Sequence, residues 1–226
     1  MTEESLTPQL KALRLELAAH SARVFSDVGT RLHISGHLLG DGRVTGRSAF
    51  GHGSDEVVGM SFLLLIAGQL ISASSELLSN GRPYAGAALL RQIVEVEYLA
   101  WAFDARHEDA ERWLQSDKAT RDEFFRPAKL REAAGGKFRG QDYGFHCELG
   151  GHPVPTGAVL LRNEPHTVEL LMSDLLGHVG EIWNFFVGWS RRNEGYTEEF
   201  KPAAKEMSER FAVWRHEDPL VGLPSP

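Results

Sequence analysis

The sequence predicts an all-α fold, a helical bundle of five to seven helices, on three observations. Apolar residues recur at three- and four-residue steps over most of the 226 residues. These stretches are bounded by residues that start and stop helices. One glycine-rich interval near residues 34–52 interrupts the pattern, and there alone a hairpin turn is written.

The first helix is predicted to start at Thr7-Pro8, where a hydroxyl can take a free amide and proline needs no hydrogen bond. Leu10, Leu13, Leu17, Val24, Phe25, Val28 and Leu32 then mark one apolar stripe. Glycines at 36, 40, 42, 46, 51 and 53, with Asp41-Gly42 among them, predict a short hairpin or loop arm. A phosphate-cradling loop is the other reading of this arm, but Gly40 to Ser48 has no Gly-Lys-Ser/Thr ending.

Ser54 is the expected cap of the next helix, with Asp55 and Glu56 in its first turn and Asn80-Gly81 at its end. Its apolar run, Val57 to Ile71, is broken by Gly59, Ser61, Gly68 and Gln69 and falls short of the roughly 20 apolar residues of a membrane span. It reads as a core helix, and no membrane partner is expected. Pro83 opens a third helix to His107, apolar nearly all round through Leu90, Ile93, Val94, Val96 and Phe103, as befits the centre of a bundle.

Polar helical pieces continue to Ala134, broken at Pro127 and ended by Gly135-Gly136. Between Lys118 and Arg139 seven Lys/Arg face three Asp/Glu, the one local basic excess in a chain of net charge -7. Residues 135–162 read as a long irregular connection with one short helix around Tyr143 to Leu149. Pro165 opens a long helix with Val168, Leu171, Leu175, Leu176, Val179, Ile182 and Phe186 on one stripe, ending near Asn193-Glu194-Gly195. Thr197 to His216 forms the last helix, with Pro202 as an alternative start. The expectation is a single helical domain over 1–218 and a flexible tail over 219–226.

A lone cysteine, Cys147, can form no internal disulfide, and the acidic N-terminus does not read as a signal peptide, so a cytoplasmic location is expected. The net negative charge opposes indiscriminate attraction to phosphate backbones. Helix faces this apolar pair readily between subunits, which suggests a homodimer.

The strongest anomaly lies in the greasy third helix, where Arg91, Glu95 and Tyr98 share one face. A charge taken out of water needs a partner in close geometry. A structural ion pair and a polar functional centre are equally open readings. Tyr143-Gly-Phe-His146-Cys147-Glu148-Leu-Gly-Gly-His152 gathers a phenol, a thiol, a carboxylate and two histidines in one strip. Folded onto Arg91 and Glu95, it gives His152 a proton-exchange role, with Glu95 orienting it and Arg91 holding an anion.

Other groupings carry less. His146, Cys147, Glu148 and His152 are of zinc-ligand type, but their spacing fits no ligand pattern. Cys147 beside His146 reads as a small packed residue as readily as a nucleophile. Asp174, His178 and Glu181 share a helix face, but no other helix repeats the carboxylate-histidine spacing, and the trio is read as an exposed polar face. Neither a metal nor a cofactor is expected.

Arg162-Asn163-Glu164-Pro165-His166, at the mouth of a long helix where free amides favour anions, resembles the Arg-Asn…His signature of the HEPN helical ribonucleases. That resemblance implies His166 as acid/base and Arg162 as phosphate holder. Arg91-x-x-x-Glu95, then Tyr143, a small residue at Cys147 and His152, is similar to uncharacterised bacterial all-helical families with an Arg/Glu helix and a Tyr…Ser…His stretch. That similarity implies a helical architecture and a cluster of Arg91, Glu95, Tyr143 and His152, but no reaction. Two functions stand level: a HEPN-like, metal-independent ribonuclease or related hydrolase, and a non-catalytic module binding a protein or small ligand around a structural Arg91-Glu95 pair.

Overall fold

The computed structural model describes residues 8–106, 108–138, 140–192 and 194–221, the side chains of 141, 142 and 194 excepted. The expected cap Thr7, the basic Arg139, Asn193 and the tail from 222 lie outside the described residues.

The fold is all-α, and no strand occurs among the described residues. Five long helices build it: α1 (Pro8–Leu38), α3 (Asp55–Ser79), α4 (Pro83–Ala105), α9 (Pro165–Ser190) and α10 (Glu194–Glu217). Short pieces join them: α2 (Gly42–Thr45), α5 (Asp109–Gln115), α6 (Lys118–Thr120), α7 (Pro127–Ala133) and α8 (Gly140–His146). Wider π-type turns span Arg121–Phe125 and Cys147–Gly151, and a 3-10 stretch spans Pro155–Arg162. Counting these pieces, the helices exceed the five to seven expected.

Of the two forms expected for the arm, hairpin or loop, the structure has the loop. Helix α1 continues to Leu38, through the first residues of the expected arm, and the chain from Leu39 to Gly53 forms a closed loop around α2. The loop is clasped at its stem, where Gly53 and Ser54 donate their amides to the His37 and Gly36 carbonyls at 3.3 and 2.9 Å. Gly36 is no turn signal: a Cβ there would lie 2.7 Å from Val58 Cγ2 and 2.9 Å from its amide nitrogen, so glycine is what lets α1 approach α3. A close helix crossing and a turn both call for glycine, and only packing tells them apart.

Ser54 caps α3 as expected, accepting from the Val57 amide at 3.3 Å. The acids after it do more than suit the dipole. Asp55, 4% exposed, meets His52 Nδ1 at 2.8 Å, and Glu56 accepts from the Trp189 indole at 2.8 Å. Helix α3 is long and apolar enough to cross a membrane; here most of it is buried, with α1 on one side and α4 on another. Phe25, Phe103, Trp183, Phe186 and Trp189 fill the centre, each at most 2% exposed, and each contributes about 1.5–3 kcal/mol or more by leaving water.

Near the two ends of the chain, the bundle is also locked by charge. Arg14 in α1 and Asp218 just beyond α10 form a buried two-pronged pair, Nε to Oδ2 at 2.7 Å and Nη2 to Oδ1 at 2.6 Å. The Trp214 indole donates to the same carboxylate at 2.7 Å. Burial alone would raise the pKa of Asp218, but Arg14 and these donors hold it below its ordinary 3.8.

Candidate metal centre

Two polar clusters flank α4, and both draw on residues 143–151. The first is the one expected. Arg91 Nη2 donates to Glu95 Oε1 at 2.6 Å and to Tyr143 Oη at 3.1 Å, while the Tyr143 hydroxyl donates to the same Glu95 oxygen at 2.8 Å. Burial works against the Arg91 charge, but Tyr143 and Glu95 outweigh it and raise its pKa. Burial also raises the Tyr143 pKa, with Arg91 opposing and Glu95 adding to the rise. The Arg131 guanidinium covers the Tyr143 ring, 4.6 Å from its centroid, and its buried Nη1 has no hydrogen-bond partner among the described residues. Two guanidinium groups, those of Arg91 and Arg131, thus lie against the one phenol ring.

The stretch 135–162, expected to be irregular, is mostly short helical turns, pressed onto α4 by two glycines. A Cβ at Gly150 would lie 2.6 Å from the Ala88 amide nitrogen, and one at Gly151 2.4 Å from Arg91 Cδ. His152 therefore comes directly behind Arg91, yet it does not complete the cluster. Its backbone is extended before Pro153 and its ring is exposed; the ring makes no hydrogen bond or ion pair with a described residue, and only its carbonyl is held, by the Tyr84 hydroxyl at 3.2 Å.

Arg162 and His166 stand apart as well. Both are exposed at the mouth of α9, and Arg162 comes no closer than 4.0 Å to Glu164. Pro165 at the first helical position keeps Glu164 extended. His166 lies twelve residues before His178, about 18 Å along the helix axis.

The second cluster is one that sequence spacing does not assemble. One turn beyond Tyr143, His146 ends α8 and points to the other flank of α4, where it is 2% exposed. It meets Asp174 and His178 of α9 and, behind them, Glu97 of α4. His178 Nε2 lies 3.3 Å from His146 Nε2 and 3.5 Å from Asp174 Oδ1, and His146 Nε2 lies 3.5 Å from Asp174 Oδ2. Glu97 Oε2 sits 2.5 Å from His178 Nδ1, so this ring nitrogen donates to the carboxylate. Asp174 and His178 are therefore not an exposed polar face. They lie on the packed side of α9, with side chains 16% and 12% exposed, because their steps from Leu171, Leu175 and Ile182 are those of the apolar stripe. Glu181 does not join them.

Two imidazole nitrogens and one carboxylate converge here, with all three ligand atoms within 4.8 Å of one another. Bond lengths of about 2.0–2.2 Å place neighbouring ligands of a tetrahedral zinc-type ion about 3.4 Å apart; the two Nε2 atoms, at 3.3 Å, match that separation, while Asp174 reaches the two rings with different carboxylate oxygens. Were a metal held here, Glu97 would be the outer carboxylate that fixes the tautomer of His178 and leaves its Nε2 free to ligate. The same geometry also suits a proton. Burial pulls the His178 pKa down, but Asp174 and Glu97 together raise it well above 6.5, so an imidazolium between two carboxylates is the metal-free form of the cluster.

A scan of protein-family models finds no match to this chain, and no similar chain is found among curated proteins or solved structures.

Proposed function

We propose that the protein is a metal-dependent hydrolase of phosphoester bonds, with a first-row divalent ion held by His146, Asp174 and His178. The observation that carries this reading is the 3.3–3.5 Å spacing of those three ligand groups, with Glu97 braced behind His178. Three protein ligands of this kind leave coordination positions open, which is the arrangement of catalytic rather than purely structural sites. A metal there supplies Lewis acidity and brings a bound water to a pKa of about 7.

The chain's own residues supply the rest. Glu97 orients His178. Tyr143 and His146, one helical turn apart on α8, join the metal position to the arginine cluster. Arg91 and Arg131, both packed on Tyr143, are the cations that would hold an anionic group of the substrate. This reading replaces metal-independent acid/base chemistry at His152 or His166, whose rings lie outside both clusters. A purely structural reading is supported by one observation: His178 lies between Glu97 at 2.5 Å and Asp174 at 3.5 Å and so ties α4 to α9 without any ligand.

The test is hydrolysis of mono- and bis-p-nitrophenyl phosphate and of mixed RNA by purified protein supplied with Zn²⁺, Mn²⁺ or Co²⁺, against protein in chelator. Turnover of at least one substrate that is lost in chelator, in His178→Ala and in Asp174→Asn is expected. Inert protein under every metal, or activity indifferent to those substitutions, contradicts the proposal.

A further inference from the structure

A ladder of five rings runs across the stem of the closed loop. Phe62 of α3 packs on His33 with ring centroids 5.1 Å apart, His33 on His37 one turn along α1 at 4.5 Å, His37 on His52 at 4.3 Å, and His52 on Phe50 at 5.8 Å. The three central rungs are imidazoles. His33 and His37 come from the end of α1 and His52 from the end of the loop, so the ladder spans the stem. None of these residues takes part in either cluster on α4.

The same residues hold the loop shut. The His37 carbonyl accepts from the Gly53 amide at 3.3 Å and from Arg43 Nη2 at 3.1 Å. His52 is buried, its amide donating to Ser48 Oγ at 2.9 Å and its Nδ1 lying 2.8 Å from Asp55 Oδ1. His33 Nδ1 lies 3.4 Å from Ser61 Oγ.

Charge around the ladder is one-sided. Asp55 of α3 is the one carboxylate paired with a ladder imidazole among the described residues, and it also accepts from Ser48 and from Gln115 of α5, at 2.5 and 2.6 Å. The other acids nearby are engaged elsewhere: Asp41 with Arg47, Glu56 with the Trp189 indole and Glu111 with Gln115. Helix α10 meets α1 through Tyr196 at Ser35, two residues from His37 and so on nearly the opposite side of the helix. The Arg43 guanidinium adds a cation at His37. Protonated His52 therefore has a counter-charge, whereas His37 stands between two imidazoles with none. Rings this close lie well inside the roughly 8 Å over which salt screens like charges. Burial first, then His52, His33 and Arg43, hold the His37 pKa below 6.5.

We propose that His33, His37 and His52 form an acid-sensitive latch, closed while the ladder is neutral and opened as its imidazoles take up protons, which frees residues 39–53 from the α1–α3 stem. Because His37 is harder to protonate in the closed loop, the open form binds more protons below 6.5, and the closed form loses stability as pH falls through that window. Each additional proton shifts the balance by up to about tenfold per pH unit. The latch uses neither the metal position nor the arginine cluster and stands apart from the proposed hydrolase.

The test is amide hydrogen exchange of the full chain at about pH 7.5 and about pH 5.5, corrected for intrinsic rates. Residues 39–54 should exchange about tenfold faster at the lower pH, while the central helix α4 keeps its protection. His37→Phe keeps the ring contacts without the charge and should abolish the difference. Should the phenyl ring itself loosen the loop, the imidazole titration of wild type, followed by nuclear magnetic resonance, decides: a His37 midpoint below 6.5 that coincides with the loss of loop protection is expected. Equal protection at both pH values, a difference that persists in His37→Phe, or a His37 midpoint at or above 6.5 overturns the latch.

Discussion

Glu97 holds His178 by its Nδ1 at 2.5 Å while the opposite nitrogen of the same ring faces His146 Nε2 at 3.3 Å. A carboxylate on one helix thereby sets the tautomer and aim of a histidine on another. Replacing Glu97 with Gln keeps the shape but weakens the hold on Nδ1–H. Metal affinity, read by competition with a chromophoric chelator, should fall about 10- to 100-fold, while far-ultraviolet circular dichroism stays unchanged.

Arg91, Glu95 and Tyr143 form a closed triangle of hydrogen bonds, but Arg91 and Glu95 are about a quarter to a third exposed, and solvent screens what the pair contributes. Tyr143→Phe should cost about 1 kcal/mol. His152→Ala, at an exposed ring, should change stability by less than about 0.5 kcal/mol. Denaturant unfolding of both variants checks the contrast; equal effects would mean that the His152 ring joins the cluster after all.

Arg14 and Asp218 are 1% and 4% exposed and tie α1 to the residue just beyond α10. Asp218→Ala strands a buried guanidinium and should cost about 3–5 kcal/mol. The pH dependence has a fixed sign. The Asp218 pKa is depressed on folding, so its contribution is complete above the ordinary value of 3.8 and is lost as pH falls through the lower folded value. Acid unfolding of Asp218→Asn should therefore be shallower below pH 3.8 than that of wild type.

Gly36 carries the α1–α3 crossing. Gly36→Ala brings a methyl against Val58 Cγ2 and the Val58 amide nitrogen and should destabilise by about 1–3 kcal/mol. A substitution that left the thermal midpoint unchanged would show that α1 can shift away from α3 at little cost.

The helices are legible in the sequence because their stripes, prolines and the Ser54 cap are local signals. The Arg91–Glu95–Tyr143 meeting is legible for a different reason: charges on an apolar helix require partners, and the glycine-rich strip downstream is the polar segment free to supply them. The metal cluster escapes such a reading although its signal is present. Asp174 and His178 keep step with Leu171, Leu175 and Ile182, and Glu97 keeps step with Ile93, Val94 and Ala100, so all three are charged positions on buried stripes. Taking Asp174, His178 and Glu181 as an independent polar face overlooks this phase. That His146 meets them cannot be read from spacing at all, because the turn at Cys147–Gly151 that presses the strip onto α4 depends on glycine contacts in three dimensions.

The most direct test is a Co²⁺ titration of chelator-treated protein, monitored by visible absorption. One equivalent bound, with the intense d–d bands of a four- or five-coordinate nitrogen/oxygen site, and loss of those bands in His146→Ala, Asp174→Ala and His178→Ala are predicted. Protein that takes up no cobalt, or binds it as well in all three variants, would contradict a metal centre on α8 and α9.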